Sequence, residues 1–369
     1  GRGSALKDVN AIQHGIDNLL ENCLELEPGQ SLSIIREPSD LDYYSPTLPD
    51  AIAARAAEAG VKVEMIFAPF NEATETLPNN IAAALEKSDK GLFLARIGDQ
   101  VRFSTLLHRS DIGMCCALDE ETFATNFCGA DYRFFLKLKR KVNEAVFGRK
   151  MITIRCREGT HLVGISPPTR IGDDSGDVGL KRFPMNIFRP VDASTFSGRI
   201  AISKWLSPTG SRFYEPASVL INGVVFANVR DGRIVSFEGD QNDVEKVESH
   251  YQFVAEKYNI DRSVIHSWHA GIHPHNGYVQ HAADNLTRWS GSAFGNPRYL
   301  HLHSCGNYAP GEICISVFDP TITADDTVLW DKGRLSFADT PEIRELIRGY
   351  PGIAPLFDKP QHDFGLGEN

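Results

Sequence analysis

The sequence lacks three features that would place it in a familiar functional class. No apolar stretch reaches about 18 residues, so no transmembrane helix is predicted and no membrane partner is expected. No basic run stands out in a chain of net charge −10, which argues against nucleic acid as a partner because phosphate neutralisation requires clustered lysine and arginine. No glycine-rich phosphate-binding motif follows a predicted strand, and a nucleotide site is therefore not expected.

A disulfide framework is also missing. The seven cysteines are odd in number and show no regular spacing. This pattern predicts free thiols, including Cys305 and Cys314, and a cytoplasmic location, because disulfides are rare in reducing compartments.

The length of 369 residues predicts two domains, since single hydrophobic cores stop growing below that size. Residues 1–149 alternate predicted strands with amphipathic helices, as in the helical spacing of residues 6–24 and the strand pattern of 61–67. Such alternation is typical of an α/β domain with a mainly parallel sheet. Residues 150–369 carry short strands and hairpin signals, which predict an α+β domain.

Seven of the twelve histidines lie between His266 and His303, in this second domain. Period-two alternation in His301-Leu302-His303 points both imidazoles to one face of a strand. Asp319 ends a second apolar strand, where a carboxylate is costly unless it is paired or bound to a metal. The segment therefore predicts a His-rich pocket. The residues leave open whether that pocket holds a metal or only hydrogen-bonded polar side chains.

Several short segments resemble one known family, in order along the chain. They are Phe183-Pro184, Asp231-Gly232-Arg233, Trp268 with Gly271-Ile272-His273-Pro274, Ser304-Cys305-Gly306-Asn307 and Phe318-Asp319-Pro320. These segments resemble the aminopeptidase T metallopeptidases and, more closely, their relatives the 2,5-dihydroxypyridine 5,6-dioxygenases. The resemblance implies a metal-dependent pocket and, by analogy with oligomeric relatives, a homo-oligomer.

The chain departs from that family at its metal motif. Val317 stands where the family has the histidine of a His-x-Asp pair, and Asn186 or Ile187 stands where the peptidases have a glutamate. Two-metal peptidase chemistry, which needs bridging carboxylates, is therefore not expected. A mononuclear site requires His301 or His303 to supply the missing ligand, beside Asp319 and one of His266 and His269.

We derive one set of candidate residues from these arguments. The predicted site comprises the metal ligands His266, His303 and Asp319, the catalytic residues His269 and His273, and the binding residues Trp268, His275, His301 and Asn307. Two histidines and one carboxylate suit Fe(II) or another divalent metal.

Two functions are compatible with this site. In the first, a metal-dependent enzyme acts on a small aromatic or peptide-derived substrate by ring-opening oxygenation or by hydrolysis. In the second, a metal-free homologue binds a peptide or small molecule for a partner enzyme in a biosynthetic pathway, and no cofactor is bound. Family resemblance favours the first function, whereas Val317 favours the second.

Overall fold

The computed structural model describes residues 2–70, 76–101, 111–168, 180–208, 214–307 and 310–367. The chain divides into two compact units, of which the first comprises residues 1–136, 178–185 and 350–358. The second comprises residues 137–177, 186–349 and 359–369. Segments of the two units alternate along the chain. The single domain boundary after residue 149 remains a prediction.

The strands occupy the following ranges: β1 Ser31–Arg36, β2 Lys62–Phe67, β3 Lys90–Leu94, β4 Ile112–Cys115, β5 Arg149–Arg155, β6 His161–Ser166, β7 Lys181–Phe183, β8 Val191–Asp192, β9 Ser197–Ser207, β10 Val219–Arg230, β11 Arg233–Glu238, β12 Ile265–Ala270, β13 Tyr299–Cys305, β14 Glu312–Phe318, β15 Thr321–Ala324 and β16 Thr327–Trp330. The α-helices are α1 Arg2–Asp17, α2 Leu48–Glu58, α3 Asn79–Lys87, α4 Ile97–Gln100, α5 Glu120–Phe123, α6 Asn126–Gly129, α7 Tyr132–Val146, α8 Gln241–Tyr258, α9 Leu286–Ser292, α10 Pro341–Arg348 and α11 Ala354–Asp358.

The first unit is built on a parallel sheet of order β2-β1-β3-β4-β7. Its buried strand residues include Ile35, Phe93 and Ile112, and α3 packs on them through Ile81 and Leu85. Apolar strands alternating with amphipathic helices dictate this arrangement, because parallel strands need crossover helices to cover both faces. The predicted parallel sheet is confirmed.

The second unit is built on an antiparallel sheet of eleven strands. Nine follow the order β16-β15-β5-β6-β9-β14-β13-β12-β8, and β10 pairs with both β9 and β11. One face at its centre is apolar and includes Leu300, Leu302 and Val317, all at most 1 % exposed. Trp268 lies on the same face and contacts Phe188 edge-on. This face forms a core, as hydrophobic burial requires.

Helix α8 of the second unit follows from local sequence signals. The side chain of Asp240 accepts hydrogen bonds from the backbone of Asn242 and Asp243 at its start, and Asn259 ends it in the left-handed conformation. The face that includes Val247, Tyr251 and Val254 is buried. In the described part of the chain, no helix combines the length and apolarity needed to cross a membrane.

Candidate metal centre

The face of the central strands opposite the apolar core is unusually polar. His269, His301 and Ser316 stand directly across from one another on β12, β13 and β14. His303 and Cys314 form the next row on that face. Buried polar side chains cost free energy unless they are paired, so a polar row in the middle of a sheet points to a function.

Three imidazoles meet on this polar face. Nε2 of His269 lies 3.1 Å from Nε2 of His303, and one ring nitrogen from each of His269, His301 and His303 lies within 4.8 Å of the others. The residues His269 and His301 are 5 % and 6 % exposed, and the His303 side chain is 12 % exposed. Among the described residues, this is the one group of three or more histidine, cysteine or acidic side chains with such spacing.

Hydrogen bonds orient two of the three clustered imidazoles. Nδ1 of His269 lies 3.3 Å from the carbonyl oxygen of Phe188. Because a carbonyl only accepts, Nδ1 carries the hydrogen and Nε2 of neutral His269 keeps its lone pair. Nδ1 of His303 contacts the carboxylate of Glu312, so its Nε2 can also present a lone pair.

Glu312 is the residue that the sequence interpretation missed. Its side chain is 2 % exposed, and His303 is the partner of its carboxylate. A carboxylate behind a ligating histidine orients the ring and raises its basicity. The alternation Glu312-Ile313-Cys314-Ile315-Ser316 carried a usable signal, because it places polar side chains on one face of a strand.

The donor set suits a divalent metal. Two imidazole nitrogens, each about 2.0–2.1 Å from one zinc ion, lie about 3.3 Å apart in tetrahedral geometry. The observed 3.1 Å between the Nε2 atoms of His269 and His303 is close to that value. Three imidazoles satisfy zinc or iron and leave further positions for a substrate.

Further polar side chains continue the face beside His301. The Tyr299 ring stacks on His301 at 5.2 Å between ring centroids, and its hydroxyl lies 3.3 Å from Sγ of Cys314. Ser316 donates a hydrogen bond to the Tyr299 hydroxyl. Burial raises the pKa of the Cys314 thiol to about 12 and that of the Tyr299 hydroxyl well above its usual value. Both groups therefore stay protonated near neutral pH.

The predicted ligand set differs from the observed cluster at two residues. The carboxylate of Asp319 is bound by Arg298, with Nε and Nη2 donating at 2.6 and 2.9 Å. Nε2 of His266 lies 2.8 Å from the carbonyl oxygen of Cys305. His266 lies three residues before His269 on β12, an odd spacing that places the two side chains on opposite faces of a regular strand.

Val317 lies on the apolar face of the sheet. Val317 pairs with Leu300, so it faces the apolar core, whereas His301 and His303 face the other side of the sheet. Val317, which occupies the family's histidine position, therefore lies on the opposite face of the sheet from the histidine cluster.

The other four predicted residues lie outside the histidine cluster. Trp268 is fully buried in the apolar core. His273 is fully buried, and its Nδ1 accepts a hydrogen bond from the backbone of His275. The His275 ring contacts the carbonyl oxygen of Lys359, and Asn307 is exposed. The structure thus brings His269, His301 and His303 together, and these four residues are not in that group.

Comparisons with known proteins bear on the fold. No protein-family model matches the sequence, and no curated protein matches it either. The structure of 2,5-dihydroxypyridine dioxygenase from Pseudomonas putida KT2440 is similar with a TM-score of 0.62 and 13 % identity, over 91 % of this chain and 99 % of that one. Wild-type aminopeptidase T (AmpT) from Thermus thermophilus gives a TM-score of 0.50 and 12 % identity, over 88 % and 99 %. The resemblance predicted from short motifs is therefore confirmed at the level of the fold, which this chain shares with both proteins.

Proposed function

We propose that this protein is a metal-dependent enzyme in which His269, His301 and His303 hold one divalent ion, Fe(II) or Zn(II). The observation that carries the proposal is the approach of three imidazole nitrogens to within 4.8 Å in a buried environment. The crowding of three imidazoles gains little by itself, whereas a shared cation stabilises all three.

The residues of the chain have defined parts in this proposal. Glu312 orients His303 through its Nδ1, and the carbonyl of Phe188 does the same for His269. A bound divalent ion supplies a Lewis acid and open positions for a chelating ligand. Tyr299 and Ser316 provide hydroxyl groups beside the cluster that can orient such a ligand.

The substrate class follows from the shared fold and the donor set together. The two similar structures are those of a dioxygenase for 2,5-dihydroxypyridine and of an aminopeptidase. We infer a small aromatic or peptide-derived substrate that is opened by oxygenation in the iron form or hydrolysed in the zinc form. Fold similarity supports this substrate class by analogy. The identity of the bound metal decides between oxygenation and hydrolysis.

Metal analysis of untagged protein, followed by anaerobic titration with Fe(II) and separately with Zn(II), tests the proposal. We expect about one ion per chain, and we expect His269→Ala and His301→Ala to lose tight binding. His266→Ala is the matched control, because its ring contacts a backbone carbonyl away from the cluster. Parent protein that binds neither ion would refute the proposal.

A metal-free binding protein is the second candidate, and one observation favours it. A hydrogen bond between the Nε2 atoms of His269 and His303, together with the contact from Glu312, can satisfy both nitrogens of His303 with no ion present. In that case the titration gives no binding, and Glu312 serves to orient the His303 ring.

A further inference from the structure

Two arginines and a histidine form a row across three adjacent strands on the exposed side of the second unit. Arg155 on β5 stands directly opposite His161 on β6, and His161 stands directly opposite Arg199 on β9. All three residues are exposed. Neighbouring strands are about 4.8 Å apart, so Arg155 and Arg199 stand about 10 Å apart along the sheet, on either side of His161.

No carboxylate compensates this row from the sheet itself. The cross-strand diagonal neighbours of His161 on that face are Thr153, Arg157, Ser197 and Ala201. The side chains of Arg155 and His161 make no hydrogen bond or ion pair with another residue in the part of the chain that the structure describes. In a chain of net charge −10, such an uncompensated row needs an explanation outside the fold.

One member of the row is held in place. Nε of Arg199 donates a hydrogen bond to the carbonyl oxygen of Gly159 at 3.1 Å, and its guanidinium lies over the ring of Phe226 at 4.3 Å. Both contacts restrict the side chain while leaving it exposed. A pre-oriented guanidinium loses less entropy when it binds a carboxylate.

The same sheet face is apolar a short distance away. Val163 and Ile165 follow His161 at alternate positions on β6, and they are 37 % and 47 % exposed. Met151, on β5, is 51 % exposed. Ile165 is four residues from His161, which is about 13 Å along a strand. The surface therefore combines a cationic end with an apolar end.

We propose that this β5–β6–β9 face binds an extended acidic segment of another protein, with carboxylates over Arg155, His161 and Arg199 and apolar side chains over Val163 and Ile165. The apolar end argues for a peptide, since inorganic phosphate has no apolar part to cover it. Charge complementarity with a cationic patch favours acidic residues and raises the association rate. The proposal is independent of the metal centre.

The test uses the full chain and a fluorescein-labelled peptide, Glu-Ser-Glu-Ser-Val-Ser-Val, which places its glutamates and valines on one side when extended. Fluorescence anisotropy at low salt should show binding that weakens as salt is added. The same peptide with lysine in place of glutamate should not bind. Failure of the acidic peptide to bind at low salt would overturn the proposal.

Variants localise the effect. Arg155→Glu combined with His161→Glu should weaken binding by about tenfold or more, because the double change removes one positive charge and adds two carboxylates that repel the acidic peptide. Val163→Ser combined with Ile165→Ser should weaken it severalfold. Arg348→Glu, an exposed arginine on α10, is the matched control and should leave affinity within about twofold.

Each contrary result has a definite meaning. An equal loss in Arg348→Glu would attribute binding to net charge and overturn the proposed site. Full displacement of the peptide by inorganic triphosphate, with no effect of the Val163 and Ile165 changes, would identify a simple anion site and overturn the peptide assignment. Thermal denaturation of each variant confirms that the fold is intact.

Discussion

Arg298 binds both carboxylate oxygens of Asp319, at 2.6 and 2.9 Å. The Arg298 side chain is 7 % exposed, so this ion pair neutralises a buried cation. Nη1 of the same guanidinium donates to the carbonyl oxygen of His362, which ties the C-terminal segment to the sheet. Asp319, which the sequence predicts as a metal ligand, is thus the partner of an arginine.

Replacement of Asp319 should therefore change stability and leave metal binding unaltered. We expect Asp319→Ala to lower the free energy of unfolding by about 1–3 kcal/mol, because it leaves a buried guanidinium without its carboxylate. Urea denaturation measures this loss, with Asp326→Ala, an exposed turn aspartate, as the control. Loss of metal affinity in Asp319→Ala would instead make this carboxylate a ligand.

The contact between Glu312 and His303 predicts a graded effect on metal affinity. Glu312→Leu removes both the charge and the acceptor, and we expect about 10- to 100-fold weaker binding. Glu312→Gln keeps an acceptor oxygen, so its metal affinity should lie between that of Glu312→Leu and that of the parent. Isothermal titration with Zn(II) measures both, and His266→Ala, whose ring contacts a backbone carbonyl away from the cluster, is the control. An unchanged affinity in Glu312→Leu would remove Glu312 from the site.

Restoring the family's His-x-Asp motif should fail in this chain. Val317 is 1 % exposed and faces the apolar core. We therefore expect Val317→His to destabilise the protein by about 2 kcal/mol or more, because it buries an imidazole among apolar side chains. It should confer no new affinity for Fe(II) or Zn(II). A gain of tight binding, measured by titration at matched folded concentration, would contradict the assigned face.

His250 on α8 predicts a pH dependence of stability. Burial lowers the pKa of His250 from 6.5 to about 4, and its Nε2 makes no hydrogen bond to another described residue. Between those two values the unfolded chain binds a proton that the folded chain does not. The stability that this neutral ring contributes is therefore fully present above about pH 6.5 and is lost as the pH falls toward about 4.

Comparison of pH 7 with pH 5 measures that dependence. The parent should lose about 2 kcal/mol of unfolding free energy through His250 over this interval. His250→Leu has no titrating ring at this position, so its loss of unfolding free energy between pH 7 and pH 5 should be smaller than that of the parent by about 2 kcal/mol. If urea denaturation gives the parent and the variant the same change in unfolding free energy between the two pH values, the pKa of His250 is the same in the folded and unfolded states.

Local patterns in the sequence were sufficient for several features. Alternating strands and helices in the first 149 residues predicted a parallel sheet, because apolar periodicity and turn residues act over a few positions. Period-two alternation placed His301 and His303 on one face, and their register against β14 agrees with it. Short motifs also indicated the fold that the two similar structures share.

The neighbours of those histidines depended on tertiary structure. The pairing of β12 with β13 places His269 directly opposite His301. Strand pairing likewise turns Val317 toward the core. Asp319 forms an ion pair with Arg298, which lies 21 residues earlier in the chain. Residue spacing alone cannot encode these choices, because a shift of one residue exchanges the two faces of a strand and only the packed sheet sets that register.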